Sequence, residues 1–256
     1  MTVWRWTVSG LLMLILLAVW EAAARYLGLS ALVLPAPSQI TQSLVQGMAS
    51  GYLLPHLQAT ALQLMLGVLL GCSFGFLAGA AMAESAWART LCMPYILISQ
   101  VVPKLALMPL FILWLGFGIA STVVITALVC FFPLLETTLT SLQRIAPERL
   151  ELFRMLGASR TQTLWRLKLP TGLPGILAGL RVAVMLGLVG AVVGEFIGAS
   201  KGLGALVIAA QGSMDTPLMF AVLAVISLLG LTTYQLTLWL ERWLLRPYHA
   251  DPPADR

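Results

Sequence analysis

The sequence predicts an all-α polytopic membrane protein with six transmembrane helices and both termini on the cytoplasmic side. Three observations carry this. Of 256 residues, 59% are hydrophobic and 10% charged, with mean hydropathy +0.93, whereas a soluble domain is about 45–50% apolar and about 25% charged. The apolar residues gather into six runs close to the roughly 20 residues that cross a bilayer core. The basic residues gather on alternate connections, as the positive-inside rule requires. A water-soluble enzyme is excluded by this composition, and so is intrinsic disorder, which needs the opposite balance.

The first span is expected over about Val8 to Leu27, after Trp4, Arg5 and Trp6, residues that suit an interface. Its length argues against a cleaved signal peptide. From Gly28 to Pro55 the chain is mixed, and Pro37-Ser38-Gln39 opens a short amphipathic surface helix. The second span runs from about Leu57 to Ala83, followed by a polar break from Glu84 to Arg89. The third, about Leu91 to Leu115, contains Pro94, Pro103 and Pro109, and the fourth runs from about Ser121 to Leu142. The fifth is about Leu173 to Ile197 and the sixth about Pro217 to Leu240. The chain therefore divides into a first span with a periplasmic surface segment (1–56), spans two to four (57–142), a polar loop (143–172), spans five and six (173–245) and a tail (246–256). All belong to one membrane domain.

With the N-terminus inside, 12 of the 15 basic residues fall on the inner side: Arg5, Arg89, Arg144, Arg149, Arg154, Arg160, Arg166, Lys168, Arg181, Arg242, Arg246 and Arg256. This topology accounts for the basic balance and leaves no case for nucleic-acid binding. Cys72, Cys92 and Cys130 lie in or beside apolar runs without a paired spacing, so they read as packing residues rather than disulfides or metal ligands.

The loop at 143–172 is the only substantial polar segment. Pro147 and Glu148 start a helix, since proline suits the first turn and an acid complements the dipole there. Leu150, Leu152, Phe153 and Leu156 give it an apolar face, and Gly157 stops it. Ser159 caps a second helix from Arg160 to Leu169, which Pro170, Gly172 and Pro174 are expected to end. Such a pair either lies on the membrane or docks a soluble partner by an amphipathic helix in a groove.

Glu151-Leu-Phe-Arg-Met-Leu-Gly157, nine residues, then Leu167-Lys168-Leu169-Pro170 resembles the EAA loop of binding-protein-dependent ABC importer permeases. Glu151, Gly157, Leu169 and Pro170 keep the pattern's spacing, while Leu152 and Phe153 stand where the family has two alanines and Leu167 stands for isoleucine. The resemblance covers nearly the whole chain, because six spans with this loop between the fourth and fifth is the family layout. It implies the MetI-like permease architecture, a bacterial inner-membrane location, and a loop that couples to a cytoplasmic ABC ATPase subunit through Glu151, Arg154, Gly157, Ala158, Ser159, Leu169 and Pro170. It further implies a periplasmic substrate-binding protein and a second permease copy as partners. No cofactor is expected on this chain; ATP and magnesium belong to the ATPase subunit, and no Gly-Lys dipeptide, which a P-loop needs, occurs here.

In the second span Gly67, Gly71, Gly75 and Gly79 recur every four residues and form one bare helix stripe, a surface for close helix packing. Gly190, Gly194 and Gly198 repeat it in the fifth. Gly71-Cys72-Ser73-Phe74-Gly75 fits the G-x-S-x-G nucleophile pattern, but it lies in a continuous apolar helix, and His56 and His249 are placed at neither base nor metal spacing. No catalytic residue and no metal site is expected. Lys104, after Pro103 deep in the third span, either lines a solute pathway or is an ion-paired or snorkelling lysine. Glu195 either pairs with Lys104, lines a gate or faces the periplasm, and Glu136 is a weaker candidate of the same kind.

Pro35-Ala-Pro-Ser38, Val102-Pro-Lys-Leu-Ala-Leu-Met-Pro109, Leu113-Trp-Leu-Gly-Phe-Gly118 and Gly194-Glu-Phe-Ile-Gly198 with Gly202-Leu-Gly204 resemble the nitrate/sulfonate/taurine permease group. Within it, the Pro-Lys pair, Cys130-Phe-Phe-Pro133 and the Val-Gly-Glu-Phe-Ile-Gly run lean toward permeases for thiamine-precursor pyrimidines or riboflavin. Two rival classes are a secondary transporter, which needs an inverted repeat not visible between 1–128 and 129–256, and an intramembrane enzyme, which needs converging catalytic groups.

Overall fold

A computed structural model describes residues 2–26, 30 and 32–246; His249, Arg256 and the rest of the tail beyond Arg246 lie outside the described residues. The chain is helical throughout: α1 (Thr2–Tyr26), α2 (Pro37–Ala49), α3 (Leu53–Glu84), α4 (Ala86–Val101), a single 3-10 turn (Lys104–Leu107), α5 (Met108–Leu115), α6 (Ile119–Gln143), α7 (Pro147–Met155), α8 (Arg160–Thr163), a π turn (Leu164–Lys168), α9 (Leu169–Gly198), α10 (Leu203–Gly212) and α11 (Thr216–Leu245). Four stretches, Leu53–Glu84, Ile119–Gln143, Arg160–Gly198 and Thr216–Leu245, are long and apolar enough to cross a membrane. A bent pair, Ala86–Val101 with Lys104–Leu115, brings the number to five if it counts as one span.

The core is a slab of α3, α6 and α9. Gly67, Gly71, Gly75 and Gly79 are all buried on one face of α3, and backbone meets backbone there. A Cβ on Gly71 would sit 2.8 Å from the Ala127 Cα, and one on Gly79 would sit 2.6 Å from the Leu135 carbonyl oxygen. α9 packs on the other flank of α6, where Gly194 leaves room for Ile125 and Thr122. Cys72, Cys130, Leu134, Leu142, Ile176 and Ala183 fill the space among the three helices. α1 stands apart from this slab: Leu11 to Leu17 are all exposed, as suits side chains facing lipid rather than protein.

Two expectations change, and one is met in part. The third span, expected to break near its prolines, breaks at Pro103 but not at Pro109, which sits in the first turn of α5. Val102 is extended and the chain bends by 80° between α4 and Lys104, because the residue before a proline avoids the helical region and Pro103 removes a backbone donor. The prolines at 170 and 174 do not end the second loop helix; from Arg160 to Gly198 the chain is one continuous helical run of 39 residues. Pro170 sits in the first turn of α9 directly after the π turn, and wider i→i+5 turns take up the register that a proline disturbs. Finally, α10 lies between the fifth and sixth expected spans, where none was expected. Its signal was present in the buried Leu203, Leu206, Val207 and Ala210 at helical spacing.

Candidate functional site

α7 and α8 are joined by two interlocking caps. Gly157 has φ +72, its amide donates to the Arg154 carbonyl at 3.0 Å, and the Ala158 amide donates to the Phe153 carbonyl at 3.0 Å. These two bonds are those of a glycine-ended Schellman motif. Ser159 begins the next helix with a reciprocal capping box: Gln162 N donates to Ser159 Oγ at 3.2 Å, and Ser159 N donates to Gln162 Oε1 at 2.8 Å. The residues Gly157, Ala158 and Ser159 therefore fix the turn between the helices with no side chain spent on the body of the protein.

The outward surface of this loop is apolar at its tip. Met155 is 83% exposed and Leu156 73%, with Leu152 and Trp165 also exposed. Large exposed apolar side chains on an otherwise charged segment suit either the membrane surface or the groove of a partner. Glu151 and Arg154 are exposed beside them. Behind the tip the loop is tied down. Lys168 Nζ pairs with Glu84 Oε1 at 2.6 Å, a mostly buried bridge that joins the π turn to the end of α3. Leu164 and Leu169 pack onto the α3–α6–α9 core, and Leu167 is buried. Pro170 follows at the start of α9. A recess of about 410 Å³ remains between loop and bundle, lined by Glu84, Arg154, Arg160 and Lys168 among others. α8, the π turn and α9 form one continuous helical run from Arg160 to Gly198.

The second site is the bend. Lys104 is half-buried at the start of the 3-10 turn, and Pro103 beside it is exposed. Both line a recess of about 340 Å³ with Gln100, Phe132, Pro133 and Leu186. Among the described residues no ion pair holds Lys104. Glu136 lies one turn beyond Phe132 and Pro133 on α6, and its Oε2 is buried without a hydrogen-bond partner among the described residues.

Glu195 does not join this recess, and no ion pair links it to Lys104 among the described residues. It is fully buried. Its Oε2 accepts from Thr60 Oγ1 at 3.0 Å and from Gly204 N at 2.7 Å. At the same end of the bundle His56 Nδ1 lies 2.9 Å from the Gly202 carbonyl oxygen. Sequence spacing carried no sign of the link between its two halves, since His56 and Thr60 stand 135 residues or more from Glu195 and Gly202 along the chain. Farther back along α9, Arg181 pairs with Glu241 near the end of α11.

A family model described as the binding-protein-dependent transport system inner membrane component matches residues 67–246. The chain is similar to the riboflavin transport system permease protein of Chloroflexus aurantiacus, at 36% identity over 94% of this chain and 91% of that one. It is similar to the formylaminopyrimidine transport permease protein of Halalkalibacterium halodurans, at 36% over 92% and 93%, and to the taurine transport system permease protein of Escherichia coli, at 33% over 97% and 94%. In fold it resembles the MetNI methionine ABC transporter in inward-facing form, with TM-score 0.58, 19% identity and coverage of 81% of this chain and 97% of that one. The chain thus belongs to the inner-membrane components of binding-protein-dependent transport systems: it is the non-catalytic, multi-pass permease subunit of an ABC importer, in the MetI-like fold, and carries a small solute delivered by a periplasmic binding protein.

Proposed function

We propose that this permease crosses the inner membrane six times with both termini in the cytoplasm, and that two copies work with two ATPase subunits and one periplasmic binding protein. α1 is the first span, the bent α4–α5 pair the third, and the loop at 143–172 faces the ATPase. The alternating charge supports this orientation. The Glu84–Lys168 pair joins the end of α3 to the basic loop at that same side. The homodimer follows from stoichiometry, since one chain supplies one docking loop for two ATPases.

The observation that carries the coupling reading is the exposed apolar tip at Leu152, Met155 and Leu156 beside Glu151, held on a capped turn and continuous with α9. Closure of the ATPase pair pushes the tip, and the helix behind it transmits the displacement. Only a contact that differs between the two conformational states drives a cycle. The transport path runs past the break at Pro103 and Lys104, with Glu136 near it. The solute is a pyrimidine thiamine precursor or a flavin, the reading favoured by the Pro-Lys pair and by the similarity to riboflavin and formylaminopyrimidine permeases. A sulfonate such as taurine is the second reading, on the similarity to the taurine permease.

Two measurements test this. Glu151→Lys should abolish co-purification of the ATPase subunit with the tagged permease while membrane insertion stays normal; retained ATPase and full uptake would overturn the docking assignment. Ligand binding by the partner periplasmic protein, measured against pyrimidines, flavins, sulfonates and nitrate, decides the solute.

A further inference from the structure

The cluster around Glu195 uses strong bonds in an unusual place. Thr60 on α3 and Glu195 on α9 are both fully buried. The first amides of a helix have no partner within it. In α10 two of them go to side chains of two other helices: Leu203 N donates to Thr60 Oγ1 at 2.7 Å, and Gly204 N donates to Glu195 Oε2 at 2.7 Å. The Thr60 hydroxyl links the pair, with Glu195 Oε2 at 3.0 Å and the His56 carbonyl at 3.2 Å as acceptors. Gly202 has φ +143, and a Cβ there would overlap the Glu195 carboxylate, so the turn into α10 is built around that acid. The far side of α10 is held by apolar packing of Leu203, Leu206 and Val207 on Leu53, Val222 and Val225.

We propose that Glu195 and Thr60 are positioning residues that latch α10 across the outer end of the permease, and that the latch parts when this end opens to water. Both donors to the carboxylate converge on Oε2, while Oε1 has no partner among the described residues. One displacement of the acid therefore frees both α10 and α3 from α9, while Leu203 N and Gly202 still hold α10 to Thr60 and His56 of α3. In a dry setting that displacement leaves buried amides and a carboxylate unsatisfied, which is costly. Once water enters, the same groups are solvated and the cost falls. The element thus has two states, closed when dry and released when wet, and the solute-loading step acts on it. The assignment of this end to the periplasm rests on the topology proposed above; the bonds themselves do not.

The test uses the permease assembled with its ATPase subunit in proteoliposomes, with Cys72, Cys92 and Cys130 replaced by Ala and a reporter, Ala210→Cys, on the buried face of α10. Labelling by a membrane-impermeant maleimide and ATP hydrolysis without binding protein are read together. Thr60→Ser and Glu195→Gln keep the hydroxyl and the acceptor and should behave as the parent. Thr60→Val and Glu195→Ala should label about tenfold faster or more, the scale of losing a hydrogen bond to a charged group, and should hydrolyse ATP several-fold faster. Labelling at the parental rate in Thr60→Val overturns the latch. Faster labelling with slower hydrolysis reduces the pair to ordinary packing and overturns the positioning role. Should Glu195→Ala fail to assemble, Thr60→Val decides. Absence of ATPase assembly in the parent would count against the importer stoichiometry, while the labelling rates would still judge the latch.

Discussion

Replacing Gly71 by alanine tests whether α3 and α6 are held at backbone contact. The new Cβ would stand 2.8 Å from both the Cα and the carbonyl carbon of Ala127, and closer still to its oxygen. Carbon atoms pack best at about 3.5–4.0 Å, so the helices must part locally by about 0.7 Å or more. The obstacle is backbone, which cannot swing aside as a side chain can. Gly67, Gly75 and Gly79 sit on the same face, so separation at one point loosens the others. Overpacking of this kind costs about 1–3 kcal/mol, offset by up to about 1 kcal/mol of helix propensity gained over glycine. A net loss of about 1–2 kcal/mol lowers the melting temperature of a domain this size by about 2–8 °C. The assay is thermal aggregation of the detergent-purified chain, followed by size-exclusion chromatography. Gly10→Ala in α1 is the control, since a Cβ there meets nothing within 4 Å, and with the same propensity gain and no clash it should melt at or slightly above the parental temperature. If Gly71→Ala melted at or above the parental temperature, the close approach of α3 and α6 would not limit stability and the reasoning would fail.

Two further outcomes follow from the loop and the bend. Gly157 has open space around it but a left-handed backbone, so Gly157→Asn should retain ATPase association while Gly157→Val, which pays about 1–2 kcal/mol in that conformation, should weaken it; equal association of the two variants by pull-down would show that the backbone is not the constraint. Lys104→Met should cut solute uptake at least about tenfold, the scale of one charge-assisted hydrogen bond, with assembly unchanged; uptake at the parental level would return Lys104 to a structural role.

The loop was legible because its signals are local. Gly157, Ser159 and Gln162 lie within six positions of one another, and caps depend on neighbours in sequence, so Schellman motif and capping box stand where glycine and serine place them. The apolar runs were legible for a similar reason, since bilayer thickness converts directly into residues of helix. What sequence determined about this chain is its solvent and the turn that joins α7 to α8. Tertiary structure decided the rest. Whether Pro170 stops a helix or opens one depends on the turn before it and on the packing of Leu164, Leu167 and Leu169 against three other helices. Whether Pro103 kinks or breaks its span depends on what α6 and α9 offer the freed backbone. Glu195 is the sharpest case: one of its bonds goes to the Gly204 amide nine residues on, but the other goes to Thr60, 135 residues away, which nothing in the sequence names. A buried carboxylate takes whichever donors the fold supplies, and that supply exists only once the helices have packed.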